Sequence, residues 1–180
     1  MKFFNILLFY LLISFPLQGD QFDLRLPNLF DKLYISKDIQ EIEFITKQIW
    51  DIWHETNDYI IQPDFNRGIE SMQRNDFSMS ISFFTRVIEK KPEFAEAWNK
   101  RATVYFMVGE FDKSMLDIKE TLKLEPRHFG AMDGMGLIFI HLQQYDEAIK
   151  IYNQMLKIFP NNQTIKDKKK LMENYLSKST

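Results

Sequence analysis

The chain has 180 residues, no cysteine and a formal net charge of −2. Such a length suits one domain or a short array of repeats, and 45% hydrophobic residues with seventeen Phe supply a core, which excludes wholesale disorder. The near-neutral charge gives no basic face for nucleic acid, and without Cys there are no disulfides, thiolate chemistry or lipidated cysteines; an oxidising compartment is permitted.

Residues 1–19 differ from the rest. Lys2 is the only charge before Asp20, Phe3 to Phe15 is apolar except for Asn5 and Ser14, and Pro16, Leu17, Gln18 and Gly19 follow. A basic start, a short apolar run and a small residue at the end predict a secretory signal peptide over 1–19, cut after Gly19. Spanning a bilayer takes about 20 apolar residues, and this run is shorter. An uncleaved anchor is the alternative, and it would be the chain's only link to a membrane. Residues 20–25 read as a loose tail. Pro27 opens a short helix to about Ile35. Asp38 with Glu41 three places later is a capping pattern. Ile42, Ile45, Ile49 and Trp53 then mark one helical face. Residues 20–60 are expected to form a degenerate helical hairpin packed on the first repeat.

The repeat shows in the prolines. Pro92, Pro126 and Pro160 stand 34 residues apart, each closing an amphipathic run. Other columns agree at the same period. Gly68, Ala102 and Gly136 form a small column, as do Ser80, Ser114 and Ala148. Phe84, Ile118 and Tyr152 are large knobs, and Phe77, Phe111 and Tyr145 are aromatic. Three helix pairs follow: 63–74 with 77–90, 95–108 with 111–124, and 129–142 with 145–158. Pro63 suits a first helical turn, and Gly109 a turn between helices. Residues 61–94, 95–128 and 129–162 are thus three repeats. Asn161 and Asn162 can cap a last helix over 163–177 within a C-terminal segment 163–180. A terminal helix with one polar face shields the end of a solenoid, and Lys166 and Lys168–Lys170 fit that solvated face.

These columns resemble the tetratricopeptide repeat (TPR) family, a 34-residue helical hairpin. The second repeat carries the resemblance best, with Trp98, Ala102, Tyr105, Phe111 and Pro126; the third has Met135-Gly136, Phe139, Ala148, Tyr152 and Pro160. The first departs, with Asp64 at the Trp place and Ser71 at the Tyr place. The resemblance implies an all-α, right-handed solenoid of three hairpins. It implies that the first helix of each pair lines a concave groove that binds a peptide. Carried over, the groove residues are Phe65, Ile69 and Met72; Asn99, Thr103, Phe106 and Met107; and Asp133, Leu137, Ile140 and His141. One TPR subgroup grips chaperone C-terminal carboxylates with Lys, Asn and Arg. Those places here hold Phe65, Ile69, Lys100 or Gly134, so that ligand is not expected. Residues 95–136 look most like small exported TPR proteins of Gram-negative bacteria, which implies a periplasmic location.

Gly130 and Gly134 share one face of the third repeat's first helix, where each Gly costs about 1 kcal/mol relative to Ala. A bare strip there would let a partner's backbone come close; a tolerated weak helix is the plain alternative. Catalytic motifs are absent: no Gly-x-Ser-x-Gly, phosphate loop or dinucleotide fingerprint. His54, His128 and His141 lack metal-ligand partners at usual spacing. Asp51 with His54 reads as a surface hydrogen bond, and His128 as a loop or cap residue. No catalytic residue, cofactor or metal is expected. The expected function is a non-catalytic adaptor that binds a protein or peptide and no nucleic acid. The alternatives are a structural subunit whose groove is filled by its own N-terminal hairpin or by a second copy in a homodimer, and, remotely, an enzyme.

Overall fold

A computed structural model describes residues 20–179. The expected signal peptide lies outside the described residues. Among those described, every regular element is a helix: α1 (Leu26–Ile35), α2 (Ile39–His54), α3 (Gln62–Gln73), α4 (Phe77–Lys90), α5 (Ala95–Met107), α6 (Phe111–Leu124), α7 (Phe129–His141), α8 (Tyr145–Ile158) and α9 (Gln163–Ser179). None of them is long and apolar enough to cross a membrane.

The repeat columns do what their sizes suggest. Phe84 lies on Gly68 so closely that an added Cβ would stand 2.6 Å from its ring, and Tyr152 lies on Gly136 with the same distance at 3.0 Å. The small column is therefore a seat for the knob of the second helix. The Ser column fastens it: Ser80 Oγ donates to the Gly68 carbonyl and Ser114 Oγ to that of Ala102, each at 2.8 Å. Each first helix ends in a left-handed residue, Asn75 (φ 60°), Gly109 (φ 79°) or Gln143 (φ 57°). The amides that follow turn back to the helix, as in Glu110 N–H to the Tyr105 carbonyl at 2.9 Å and Gln144 N–H to that of Phe139 at 2.8 Å. This closure satisfies carbonyls that a helix end leaves open. Between repeats, Arg101 grips Asp117 with two bonds of 2.7 and 2.8 Å and reaches Thr85 at 3.0 Å, tying α4, α5 and α6 together.

The N-terminal hairpin is seated elsewhere than expected. Its apolar face (Leu26, Leu29, Phe30, Leu33, Ile45, Ile49, Trp53) shares a core with Phe129, Met132, Tyr152, Phe159, Ile165 and Met172 of the third repeat and α9. The chemistry explains the choice. The free side of α3 offers exposed Arg67 and Glu70, while Asp64 is taken up by Arg86 and Lys90 of α4 at 3.0 and 2.9 Å. The third repeat offers aromatic and Met surface, and apolar burial decides the partner. Residues 20–36 reach it as a strap over the three inter-repeat connections. Gln21 accepts from the Ala95 amide at 3.3 Å, the Arg127 guanidinium lies 4.1 Å over the Phe30 ring, and Asn161 donates to the Ser36 carbonyl at 2.7 Å. Residues 20–25 are thus no loose tail: Asp20, Gln21 and Asp23 are buried.

At the other end, α9 takes the place of a fourth repeat's first helix. Tyr175 stacks on Tyr145 at 5.5 Å, as His141 packs on Phe111 at 4.2 Å one repeat earlier. Lys170 stands where Gly68, Ala102 and Gly136 stand, so there is no seat for a further knob. Lys168 departs from the solvated face expected for it, bonding both Asp133 oxygens at 2.6 and 2.8 Å.

Candidate peptide-binding groove

Where α5 and α7 run side by side, a cavity of about 180 Å³ opens. Asn99, Ala102, Thr103 and Phe106 of α5 form one wall and Gly130, Ala131, Asp133, Gly134 and Leu137 of α7 the other, with Ser114 and Ile118 of α6 at its floor. Its walls are mostly apolar and its polar groups are already engaged. Asn99 donates to Glu96 at 3.0 Å, Thr103 donates to the Asn99 carbonyl at 2.9 Å, and Asp133 is held by Lys168. A ligand here meets hydrocarbon, helix backbone at Gly134 and a charge-balanced rim.

Seven residues of the sequence-derived groove surround this cavity: Asn99, Thr103, Phe106, Gly130, Asp133, Gly134 and Leu137. The others go elsewhere. Phe65 is 1% exposed and packs edge-on to Phe84 and Phe94, at 5.8 and 5.1 Å. It is a core residue, so the first repeat contributes no Phe65 surface. Ile69 and Met72 pack against that same core, and Ile140 against the core under the hairpin. Met107 and His141 are exposed at the helix ends, near the turns. Ala102, Ser114 and Ile118 were not read as groove residues because they occupy the columns that join helices, and Ala131 stands in none of those columns.

The two glycines differ. An added Cβ at Gly134 would meet only Ile118 Cδ1, at 3.4 Å, whereas one at Gly130 would stand 2.4 Å from the Trp50 ring. Gly130 therefore gives close approach to the chain's own α2 and not to a partner, a correction to the bare-strip expectation. Trp50 is wedged there among Phe129, His128 and Trp53, with ring centroids 5.2, 5.6 and 5.5 Å away. The Lys100 ammonium lies 5.5 Å from its ring.

Beside Trp50 sits a charged cluster drawn from α2 and two repeats. Glu96, 1% exposed, accepts from His128 Nε2 at 2.9 Å on one oxygen, and Lys100 Nζ and His54 Nε2 stand at ion-pair distance, each 3.1 Å, from the other. Burial alone would raise the Glu96 pKa, but Lys100, then His128 and His54, hold it down to about 2. His128 caps α7 by accepting the Ala131 N–H at 3.1 Å, which agrees with a cap residue, and stacks on Trp53 at 4.1 Å. His54 does not bond Asp51, which pairs with Lys47 at 2.6 Å. His and acidic residues from different repeats do meet here. They are sealed under α2, and no group of three among the described residues is placed to hold a metal.

The geometry agrees with comparisons to known proteins. Residues 130–162 match the family model of the tetratricopeptide repeat. A TPR repeat-containing protein of Rhizobium etli is 29% identical over 153 residues, 85% of this chain and 75% of that protein. Hsp70-Hsp90 organizing protein 1 of Glycine max is 26% identical over 101 residues; the match covers 56% of this chain but only 18% of that protein. Among solved structures, the first TPR of Spaghetti bound to the HSP90 peptide SRMEEVD superposes with a TM-score of 0.61 at 20% identity, covering 65% of this chain and 95% of that one. The Sgt2 TPR domain of Aspergillus fumigatus gives 0.61 at 18% identity, over 67% and 82%. The fold is a TPR solenoid.

Proposed function

We propose that the chain is a non-catalytic interaction module that takes a segment of another protein into the cavity between α5 and α7. The cavity carries this reading: an apolar opening on the helices that face inward in TPR solenoids, with its polar groups satisfied and with helix backbone bared at Gly134. Peptide complexes of similar folds support the class of partner. They do not supply the ligand, because the carboxylate-gripping places hold Phe65, Ile69, Lys100 or Gly134 here, and Lys100 is paired with Glu96. The segment bound is accordingly uncharged and internal to its protein. Export to the periplasm belongs to the same proposal, on the composition of residues 1–19.

A second reading, a subunit whose groove is filled by its own hairpin, draws on Trp50 covering Gly130. Photocrosslinking in cells separates the two. A probe at Thr103, exposed on the cavity rim, is compared with one at Lys119 on the outer helix α6. An adduct to another protein from Thr103 alone, abolished by Leu137→Asp, supports the module. Adducts only to α2, or none above the Lys119 control, favour the self-filled subunit.

A further inference from the structure

Two loops meet at Lys91. Its ammonium stands 3.9 Å from Asp20 at the start of the strap and 3.8 Å from Asp58 in the connection between α2 and α3. Each of these carboxylates also accepts the amide two residues on, Phe22 N–H at 2.8 Å and Ile60 N–H at 2.9 Å. The loops are thereby fixed side by side, and Arg25 ties strap to α2 again by bonding both Asp23 and Glu55. Their side chains are sorted against the usual order. Asp20, Gln21, Asp23 and Thr56 are buried, whereas Phe22, Leu24, Tyr59 and Ile60 are 64, 88, 82 and 54% exposed. In a loop that faces water the polar groups stand outside. Here they are engaged inside and the apolar ones stand out, so the face is built for an apolar neighbour.

The place of this face along the chain says which neighbour. Phe3 to Phe15 is apolar except for Asn5 and Ser14, and only Pro16 to Gly19 separate that run from Asp20. A link of that length reaches about 14 Å at most, so whatever takes up the apolar run lies beside the face. We propose that this end of the molecule seats on a lipid bilayer, with Phe22, Leu24, Tyr59 and Ile60 entering the interface beside the run. The chemistry suits a bilayer surface. A Tyr ring favours the boundary between lipid and water. A run shorter than the roughly 20 residues needed to span gains hold from a second apolar contact next to it. Charge does not drive the contact, because Lys91 is engaged by Asp20 and Asp58, and Arg25 by Asp23 and Glu55. Zwitterionic lipid therefore suffices. Another exposed apolar group, Tyr34, Ile35 and Ile39, lies at the far end of the strap, where Asn161 meets Ser36. It lacks this continuity with the run and serves as the comparison.

The chain has no cysteine, so Leu24→Cys, Tyr59→Cys, Ile39→Cys and Lys119→Cys each carry a single label. All four side chains are exposed, and labelling them disturbs no packing. The full chain, residues 1–19 included, would be synthesised cell-free with phosphatidylcholine vesicles, labelled with a polarity-sensitive fluorophore and floated. The expected result is that the chain floats. Labels at Leu24 and Tyr59 then shift to shorter wavelength and lose emission to a quencher placed at the lipid headgroups, while those at Ile39 and Lys119 do neither. Labels at Leu24 and Tyr59 that stay in water while the chain floats would overturn the proposal, because the run alone would then hold the membrane. A chain that does not float, or an equal response at Ile39, would overturn it as well. So would a shift at Leu24 that needs no vesicles and grows with protein concentration, which would mark a contact between copies. The cavity between α5 and α7 takes no part in this readout, so failure of the peptide-binding reading would leave it unchanged.

Discussion

Gly130 and Gly134 sit one turn apart on α7, yet alanine should act oppositely at the two places. Within a helix, Gly to Ala gains about 1 kcal/mol from backbone entropy alone. At Gly134 the added methyl finds Ile118 Cδ1 at 3.4 Å, an ordinary contact with the movable end of a side chain. Gly134→Ala should therefore gain nearly the full amount, raising the melting temperature by about 2–4 °C for a chain of this size. At Gly130 the methyl would stand 2.4 and 2.8 Å from two atoms of the Trp50 ring. The ring must leave, and with it the edge contacts to Phe129 and Trp53, each worth about 0.5–1.5 kcal/mol beyond burial. Gly130 is also the second residue of α7, where the entropy gain is smaller. Gly130→Ala should then lose about 1–2 kcal/mol, within the range for overpacking. Urea denaturation of both variants, and of Gly130→Ala in a Trp50→Ala background, measures this. In that background the loss should vanish, since the clash is the cause. Equal stabilisation by both alanines would refute the seating of α2 on α7. Gly134→Ala with ligand binding intact would in turn show that close backbone approach at Gly134 is not needed.

Gln143 holds a left-handed φ of 57° where the second repeat has Gly109. Gln143→Gly should raise the urea midpoint by the equivalent of about 0.5–1 kcal/mol at unchanged slope. Arg101→Met leaves buried Asp117 without its bidentate partner and should cost about 3–5 kcal/mol, most of it recovered in Arg101→Met/Asp117→Leu by thermal denaturation. Glu96 has a folded pKa of about 2, below its unfolded value. The stability it contributes, on the order of 3 kcal/mol, is present above about pH 4.3 and lost as pH falls through 2. Acid denaturation should be steep across that window for the wild type. It should be flatter for Glu96→Gln, which starts from a lower stability.

The repeats were legible because their columns are enforced by contacts within and between hairpins. A Gly under Phe84 and a Gly under Tyr152 answer to the same geometry, so they recur at the same spacing. The helix bounds followed from prolines and left-handed turn residues, which act locally. The docking of the N-terminal hairpin was not legible. The periodicity of Ile42, Ile45, Ile49 and Trp53 shows that one face is buried, but not against what, and proximity in sequence suggested the first repeat. The candidate site was legible in part for the same reason. Asn99, Thr103, Phe106 and Leu137 follow from what the resemblance implies for the first helix of each pair, whereas the burial of Phe65 and the covering of Gly130 depend on packing that no spacing reveals.

The seat of the hairpin nevertheless leaves a trace in the places where the repeats disagree. One repeat apart, at the second place of each repeat, stand Gln62, Glu96 and Gly130, and in the residue that closes each repeat stand Phe94, His128 and Asn162. In the first repeat Phe94 is buried against Phe65, whereas Glu96, Gly130 and His128 answer to something outside the array. Glu96, Gly130 and His128 are the residues that meet α2: a carboxylate for His54, a bare backbone for Trp50 and a ring for Trp53. The first repeat has no such neighbour, and its own irregular members, Asp64 and Ser71, are buried within the array, Asp64 paired with Arg86 and Lys90 of α4. The irregular members thus separate into those that meet α2 and those buried within the first hairpin. Gly134 belongs to neither group. It is a helix-weakening residue whose added Cβ would meet nothing closer than Ile118, beside a cavity that the chain leaves open. Packing within the chain does not account for a glycine there, and a ligand's backbone would.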